Sequence, residues 1–316
     1  MEEKEQTRVS GERSFSRRSF LGTTAIAVTA GTAAFAAGVS VGHASVPAAA
    51  PKIVAGSRFK NKVVLITGAT SGIGRAAALA FAAEGGNVAF CGRRENLGGQ
   101  VEQEIRNSGG EATYIKADVR KEQEVKAFVD QAVQKYGGLH VAFNNAGITL
   151  QKPLHEYTSE EWDDVINTNL RGVFLSMKYQ IPHFLAAGGG NILITSSSNA
   201  IATEAERSPY SASKRGLVGL VQSAALDYAQ KGIRINAIVP GTTNTALIRK
   251  VAGMENVPDV AWDVMIAQWA KTHVPGLGRV ATPEEIANFV LMLAADDHPY
   301  MTGASLVIDG GKTAHA

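Results

Sequence analysis

The sequence predicts an α/β fold: one doubly wound, Rossmann-type parallel sheet of about seven strands in a single domain. From residue 62 onward, short apolar runs bounded by glycine alternate with longer segments rich in helix formers. The runs contain few polar residues, which is typical of parallel strands covered by helices on both faces. A glycine-rich loop also follows the first run, where a doubly wound fold carries its phosphate-binding turn.

Helix starts and strand candidates support this alternation in order along the chain. Residues 74–86 are rich in alanine and end in paired glycines, which predicts the first helix. Thr158 with Glu161, and Thr282 with Glu285, fit the capping box that begins a helix. The predicted strands are 62–67, 87–92, 112–119, 139–147, 191–198, 233–241 and 304–311.

The stretch 242–278 interrupts the alternation. It is long, lacks a clear strand and holds Trp262 and Trp269, two of the three tryptophans. Ligands of doubly wound folds bind beyond the carboxyl ends of the strands, where a long insertion can cover them. We therefore expect a helical substrate lid at about 242–278. Together with Met265 and Val257, its tryptophans either line a hydrophobic substrate site or form the lid's own packing.

Composition and charge argue against several function classes. The 316 residues carry 31 basic and 29 acidic side chains, a formal charge of +2. This near balance gives no electrostatic footprint for nucleic acid. The single cysteine, Cys91, allows no disulfide framework and no cysteine-based zinc site. The seven histidines include no i, i+4 pair, so no metal site is expected.

The first fifty residues differ in composition from the rest. Arg17 and Arg18 precede 22 uncharged residues, 21–42. The run SRRSFL resembles the twin-arginine (Tat) signal, which would bring the Tat export machinery as a partner and a periplasmic location. One alternative is an uncleaved membrane anchor, because 22 uncharged residues are long enough to span a bilayer; the other is a chance arginine pair in a disordered tail. We assign 1–50 to an export signal or anchor and 51–316 to the folded catalytic domain.

The glycine loop TGATSGIG begins at the end of the first predicted strand. Its glycines let the backbone turn tightly and approach a pyrophosphate, which rests on the amino end of the next helix. A plain strand-to-helix turn is the alternative. Because a strand before the loop and a helix after it are both predicted, nucleotide binding is favoured. The candidate contact residues are Gly68, Ser71, Gly72, Ile73 and Gly74.

Several motifs in the expected order resemble the short-chain dehydrogenase/reductase family, over about residues 58–312. They are the TGxxxGxG loop, NNAG at 144–147, Tyr210-Ser-Ala-Ser-Lys214, Pro240-Gly241 and Asp309-Gly310-Gly311.

This resemblance implies a nicotinamide dinucleotide cofactor and further contacts to it. Asp118 and Val119 would flank the adenine, and Asn145 would lie beside the adenosine ribose. A strand-end cap is the alternative role of Asp118. Thr245 would contact the nicotinamide carboxamide or, alternatively, stabilise a turn with its hydroxyl. Lys214 would hold the nicotinamide ribose hydroxyls, and Tyr210, Pro240 and Gly241 complete the predicted cofactor-binding set.

The choice between NADP and NAD depends on the end of the second strand. NAD-preferring relatives place an acidic residue there, which accepts hydrogen bonds from both ribose hydroxyls. This sequence has Gly92, followed by Arg93 and Arg94. Arginine suits a 2′-phosphate by its charge and its bidentate geometry. We predict NADP(H). The alternative is NAD, with both arginines as solvated surface charges. Ser71 adds no support for NADP(H), although some NADP-dependent relatives carry a basic residue at that position.

The catalytic candidates come from the same resemblance. Tyr210 and Lys214 are four residues apart on a predicted helix, so they share a face. A free tyrosine with a pKa near 10 is a poor base at neutral pH, and the Lys214 ammonium with an oxidised nicotinamide would lower that pKa. Matching to the family pattern selects Ser197, with Ser196 as runner-up, to orient the substrate carbonyl. It also selects Asn169 to hold a water in a proton relay.

The resemblance thus implies an NADP(H)-dependent oxidoreductase that interconverts a secondary alcohol and a ketone by hydride transfer. One alternative is a reductase of 3-oxoacyl thioesters on a carrier protein, which an export signal disfavours. Another is an inactive nucleotide-binding protein, which the complete set of four polar residues disfavours. Relatives form tetramers through two long helices, here predicted at 159–187 and 209–231, and through the carboxyl-terminal strand, so we expect a homo-oligomer, a tetramer or dimer.

Overall fold

A computed structural model describes residues 56–314 and contains one parallel sheet of seven strands in this range. The predictions for residues 1–50 fall outside the described residues. The strands are β1 Val63–Thr67, β2 Asn87–Gly92, β3 Glu111–Lys116, β4 Val141–Asn144, β5 Gly190–Thr195, β6 Ile233–Pro240 and β7 Ser305–Ile308.

The strand order is β3-β2-β1-β4-β5-β6-β7, and every neighbouring pair is parallel. The chain winds outward from β1 in one direction and then from β4 in the other. A crevice therefore opens between the carboxyl ends of β1 and β4, the switch point of a doubly wound sheet. The predicted α/β fold class is confirmed.

Four predicted strands extend three residues too far at their carboxyl ends, among them 304–311, which ends at Ile308. The run 139–147 leaves the sheet after Asn144 because the Thr67 hydroxyl accepts hydrogen bonds from the backbone N–H groups of Asn145 (3.0 Å) and Ala146 (3.1 Å). The run 191–198 leaves the sheet after Thr195 and turns into a short 3₁₀ helix, and 112–119 ends at Lys116. The residues after β3, β4 and β5, 117–119, 145–147 and 196–197, border the crevice instead of extending the sheet.

The helices of the described range cover both faces of the sheet. The predicted helix 159–187 is interrupted by a π-helical segment, Asn167–Arg171, and 209–231 corresponds to a helix that begins at Ser208 and ends at Tyr228. None of the helices in residues 56–314 has the length and hydropathy needed to cross a membrane. They are α1 Gly72–Ala83, α2 Glu95–Asn107, α3 Glu122–Tyr136, α4 Ser159–Ile166, α5 Gly172–Ala186, α6 Ser208–Tyr228, α7 Ala246–Val251, α8 Asp259–His273 and α9 Pro283–Ala294.

Alternate strand residues enter two separate cores. Val64 and Ile66 pack with α1, α2 and α9 on one face of the sheet. Leu65, between them, packs with α3, α5 and α6 on the other. All three side chains are fully buried, as the period-two geometry of a strand between two helical layers requires. The two layers hold the central strands rigid, and with them the crevice at their carboxyl ends.

The segment 242–278 contains α7 and α8, and its aromatic residues form a third, small core. Trp262 and Trp269 are 2% and 4% exposed and pack with Val257 and Met265. The Trp262 indole donates to the Asn244 side chain at 2.7 Å. Of the two roles considered for these apolar residues, they fulfil the packing role.

Both predicted capping boxes are present, and the one at α9 gives a stability test. The Thr282 hydroxyl accepts from the Glu285 N–H at 3.2 Å, and the Glu285 carboxylate accepts from the Thr282 N–H at 2.9 Å. We expect Thr282→Ala to lower the free energy of unfolding by about 1 kcal/mol, measured by urea denaturation followed by circular dichroism. Thr282→Ser keeps the cap and is the matched control; equal stabilities of the two variants would contradict the expectation.

Candidate active site

The glycine loop is shaped by its contact with the segment after β4. Gly68 has a φ of +69°, and a Cβ there would lie 2.6 Å from the Ala146 Cα. A Cβ at Gly74 would lie 2.5 Å from the Gly68 carbonyl oxygen. Side chains at these positions would therefore push the loop away from the β4 end. The close approach leaves the amino end of α1 facing the crevice, an arrangement suited to an anion.

A cavity of about 650 Å³ lies in this crevice, along the carboxyl ends of the strands and under α7. Gly74 does not line it; its backbone packs behind the loop against Asn145. Asn169 also lies outside the cavity wall and is fully buried. The predicted residues that do line the cavity are Gly68, Ser71, Gly72, Ile73, Arg93, Arg94, Asp118, Val119, Asn145, Ser197, Tyr210, Lys214, Pro240, Gly241 and Thr245.

Asn145 joins three strand ends through its side chain. Its amide nitrogen donates to the carbonyl oxygens of Thr67 (3.3 Å) and Gly68 (3.2 Å). Its side-chain oxygen accepts from the Thr195 hydroxyl at 3.2 Å. Asn145 lines the cavity, and these bonds also give it a structural role that the sequence did not reveal.

The end of β2 is arranged around Thr70. The Arg94 guanidinium donates to the hydroxyls of Thr70 (2.8 Å) and Ser71 (2.6 Å). Burial, together with the charge of Arg93, lowers the pKa of Arg94. A Cβ on Gly92 would lie 2.6 Å from the Thr70 methyl carbon. An acidic side chain at 92 therefore requires Thr70 to move, whereas the two arginines already border the cavity.

Asp118 is held by Arg120. The Asp118 carboxylate accepts from the Arg120 backbone N–H at 3.0 Å and from its Nε at 2.9 and 3.0 Å. The same guanidinium also bonds the Asp164 carboxylate. Burial raises the pKa of Asp118, but the bonds from Arg120 outweigh it and the pKa is lowered. Asp118 thus caps a turn, as one prediction held, and also borders the cavity.

Lys214 and Tyr210 share the cavity-facing side of α6. The Lys214 ammonium is 3% exposed, donates to the Thr195 carbonyl at 2.7 Å and lies 5.6 Å from the centre of the Tyr210 ring. Burial lowers the pKa of Lys214 to about 8. Burial also raises the pKa of Tyr210, and a hydrogen bond with Ser197 and the charge of Arg207 offset part of that rise.

The three serines after β5 have different partners. The Ser196 hydroxyl donates to the Lys214 carbonyl at 3.0 Å, so it fastens α6 to the sheet. The Ser197 hydroxyl accepts from the Asn199 N–H at 3.2 Å and, through hydrogen bonding, lowers the pKa of Tyr210. Ser198 is buried at the start of a 3₁₀ helix. Of the three serines, Ser197 is the one whose hydroxyl interacts with the Tyr210 phenol.

Asn169 is turned inward by the π-helical segment, whose wider turn changes the phase of the helix. Its amide donates to the Ile148 carbonyl (2.9 Å) and the Ser213 hydroxyl (3.1 Å), and its oxygen accepts from the Ile148 N–H (2.8 Å). A Cβ on Gly147 would lie 3.4 Å from the Asn169 oxygen and 3.5 Å from the Lys214 ammonium. Gly147 therefore keeps the space between these two groups open.

Thr245 begins α7 directly over the glycine loop. Its hydroxyl accepts from the Ile248 N–H at 3.5 Å, so it has the capping role considered for it. A Cβ on Gly72 would lie 3.2 Å from its methyl carbon. The loop and the lid thus meet at this residue, which also borders the cavity.

Thr70, Arg120 and Thr195 contribute to the site but were not identified from the sequence. Each acts through a partner that is distant in the chain: Arg94, Asp164 and Asn145 respectively. No local spacing encodes these pairs. For Thr195 the only available signal was its position at the end of an apolar strand.

Comparisons with known proteins agree with this geometry. A family model described as "Enoyl-(Acyl carrier protein) reductase" matches residues 68–313. Cyclohexanol dehydrogenase of Acinetobacter sp. (strain SE19) is 41% identical over 258 residues, 81% of this chain and 97% of the relative. The 3beta-hydroxysteroid dehydrogenase 1 of Eggerthella lenta is 37% identical over 258 residues, 81% of this chain and 95% of the relative.

Solved structures show the same relationship. The crystal structure of levodione reductase superposes with a TM-score of 0.75 at 32% identity, covering 82% of this chain and all of that one. The family model, the sequence identities and the shared fold lead to one conclusion. The chain belongs to the short-chain dehydrogenase/reductase family, oxidoreductases that act on CH–OH groups with NAD(P).

Proposed function

We propose that the protein is an NADP(H)-dependent oxidoreductase that interconverts a secondary alcohol and a ketone, with Tyr210, Lys214, Ser197 and Asn169 as its catalytic set. One observation carries the proposal: Ser197, Tyr210 and Lys214 line the same cavity that the glycine loop borders, and the Ser197 hydroxyl is near enough to the Tyr210 phenol to lower its pKa. Substrate and nucleotide can therefore occupy one space, with a proton donor and an orienting hydroxyl on the same side.

The residues present fit a nicotinamide dinucleotide. The cavity of about 650 Å³ is bordered by a glycine loop whose close packing leaves the backbone accessible to phosphates. Arg93 and Arg94 would hold the 2′-phosphate, and Asp118 and Val119 the adenine. Tyr210, Lys214, Pro240, Gly241 and Thr245 would surround the nicotinamide half. When bound, the nucleotide donates or accepts the hydride.

Tyr210 Oη is the atom that gives or takes the proton. Because burial raises the pKa of Tyr210, the phenol is protonated at neutral pH in the free protein, which suits donation to a ketone oxygen. Oxidation of an alcohol requires the phenolate, so positive charge nearby must lower this pKa. Lys214, with a pKa of about 8, is mostly protonated at pH 7 and supplies such a charge. Ser197 orients the substrate oxygen.

After Tyr210 has donated its proton, a replacement proton would reach it through Lys214 from the side of Asn169. Gly147 keeps the space between the Lys214 ammonium and the Asn169 oxygen open. Asn169 is fixed by bonds to both the N–H and the carbonyl of Ile148. An asparagine held in this way can keep a water at one position, which is the role the family resemblance implies for it.

The substrate class we propose is an apolar, ring-shaped secondary alcohol or the matching ketone. Beside Tyr210 the cavity is walled by Ile148 and Leu150 after β4, and by Leu247 and Ile248 on α7. Apolar walls with a few polar groups are typical of sites for hydrophobic small molecules. Relatives named for cyclohexanol and for 3beta-hydroxysteroids agree with this class.

We also propose that the chain is exported through a twin-arginine type signal in residues 1–50 and assembles as a homo-oligomer. The pair Arg17-Arg18 before an uncharged run supports export. Exposed apolar side chains on the faces expected to pair support assembly: Phe174 on α5, Leu226 on α6 and Val307 on β7.

Tyr210→Phe tests the catalytic assignment. The variant lacks only the phenol oxygen, so we expect kcat for alcohol oxidation and ketone reduction to fall about 10³-fold or more. NADP(H) binding, measured by fluorescence titration, should change little. The readout is nicotinamide absorbance with a panel of cyclic alcohols and ketones. Turnover near that of the wild type would refute the assignment.

Arg94 and Gly92 test the cofactor preference. We expect Arg94→Gln to weaken NADP(H) about 10- to 100-fold, the loss of a charge-assisted bond, and to leave NAD(H) binding nearly unchanged. The double variant Gly92→Asp, Thr70→Ala makes room for a carboxylate and should favour NAD(H), whereas Gly92→Asp alone should bind both nucleotides poorly. Affinities come from calorimetry; a wild type that prefers NAD(H) would contradict the expectation.

The export proposal is tested by fusing residues 1–50 to a reporter that is active only outside the cytoplasm. The native segment should give reporter activity that depends on the twin-arginine machinery. The control, Arg17→Lys with Arg18→Lys, keeps every charge and should give almost none. Equal activities of the two fusions would rule out this route.

A further inference from the structure

Three charged side chains form a cluster beside Tyr210 that the proposed mechanism does not use. The Lys312 ammonium lies 2.5 Å from one Glu204 oxygen, and Arg207 Nε lies 3.3 Å from the other. The side chains of Arg207, Glu204 and Lys312 are only 5%, 18% and 13% exposed. Removing charges from water is costly, so such a cluster must be well supported by its surroundings.

Arg207 connects this cluster to two walls of the active site. It is the residue before α6, and its carbonyl accepts from the Ser211 N–H at 2.8 Å, one turn into the helix of Tyr210. Its guanidinium donates to the Thr149 hydroxyl at 3.1 Å, and Thr149 borders the cavity. A shift of Arg207 would therefore move both the start of α6 and the wall opposite Tyr210.

Lys312 comes from the carboxyl-terminal segment, which is fastened independently. The Asp309 carboxylate accepts from the N–H groups of Gly311 (2.9 Å) and Thr313 (2.8 Å). The Leu277 N–H, at the end of the lid region, donates to the Gly310 carbonyl at 2.8 Å. Lys312 thus reaches Glu204 from a turn that is also attached to the lid.

The charges act on Tyr210 in opposite directions. Burial raises the pKa of Tyr210, the charge of Arg207 lowers it, and the charge of Glu204 raises it. Glu204 itself stays ionised: burial raises its pKa, but Lys312 and Arg207 outweigh burial and lower it. Among the described residues, Arg207 and Glu204 act on Tyr210 through their charges, and the Lys214 ammonium lies 5.6 Å from the centre of its ring. Lys312 bonds Glu204, and Lys250 and Glu255 line the same cavity.

We propose that Arg207 is a positioning residue, held by Glu204 and Lys312 so that its guanidinium braces Thr149 and keeps a positive charge at the amino end of the helix that carries Tyr210. Glu204 holds the Arg207 guanidinium in place, and its negative charge limits the effect of that guanidinium on Tyr210. Lys312 in turn holds Glu204. The proposal rests on the proposed role of Tyr210 as the proton-transferring group. It adds that the carboxyl-terminal segment, through Lys312, contributes to the electrostatic environment of Tyr210.

The test is a spectroscopic titration of Tyr210 with NADP⁺ bound. In each background, the near-ultraviolet tyrosinate absorbance of the protein minus that of its Tyr210→Phe counterpart reports Tyr210 alone. We expect Arg207→Gln and Lys312→Gln to raise the apparent pKa of Tyr210, and Glu204→Gln to lower it, each by about 0.5 to 1 pH unit. Arg207→Lys, which keeps the charge, should restore most of the wild-type value.

A merely structural role would move these values in one direction or not at all. Equal values in Arg207→Gln and Glu204→Gln, or shifts of the same sign, would overturn the proposal. Thermal melting checks that each variant is folded. If Arg207→Gln does not fold, Lys312→Gln keeps the test decisive, because Lys312 lies outside the sheet. Full turnover of Tyr210→Phe would instead refute the proposed function and leave the titration unaffected, so the two failures are distinguishable.

Discussion

The hydrogen bonds between Thr67, Asn145 and Thr195 hold the carboxyl edge of the sheet in the shape on which the site depends. The Thr67 hydroxyl stops β4 by accepting from the N–H groups of Asn145 and Ala146. The Asn145 side chain then bonds the Thr67 carbonyl on one side and the Thr195 hydroxyl on the other. Since each bond is largely shielded from water, a missing partner would leave a polar group unsatisfied, at a cost of about 1–3 kcal/mol.

Binding and catalytic parts of the cavity share this support. On one side the Gly68 backbone packs against Ala146, which fixes the loop proposed to hold the pyrophosphate. On the other side the Lys214 ammonium donates to the Thr195 carbonyl, so α6, which carries the proposed catalytic pair, is attached to the same strand end. Under the proposed function, a disturbance at Asn145 would alter nucleotide position and proton transfer together. This explains why an amide, with both donor and acceptor, occupies this point rather than an apolar residue.

The sequence predicted what is local and could not predict what depends on distant partners. The strands, the capping boxes and the Tyr210–Lys214 spacing are encoded within a few residues, and the fold class followed from them. The interruption of the predicted helix 159–187 was not predicted, because a π-helical turn adds only one residue and leaves the apolar residues at nearly helical spacing. Likewise no local pattern decided whether Trp262 lines a substrate site or packs within the lid.

The proposed export route has a physical rationale in this assembly. The cavity is bordered by residues between Gly68 and Glu255, which come from the ends of six strands and from α7 and the residues after it, and they meet only after these strands have assembled. An unfolded chain carries no such cavity, so transport in that form would separate the protein from a nucleotide made in the cytoplasm. Transport of the folded protein, which a twin-arginine signal provides, allows the nucleotide to bind first. Thr245 lies so close to the glycine loop that a Cβ on Gly72 would be 3.2 Å from its methyl carbon, and the proposed lid at this point would then slow the loss of the nucleotide.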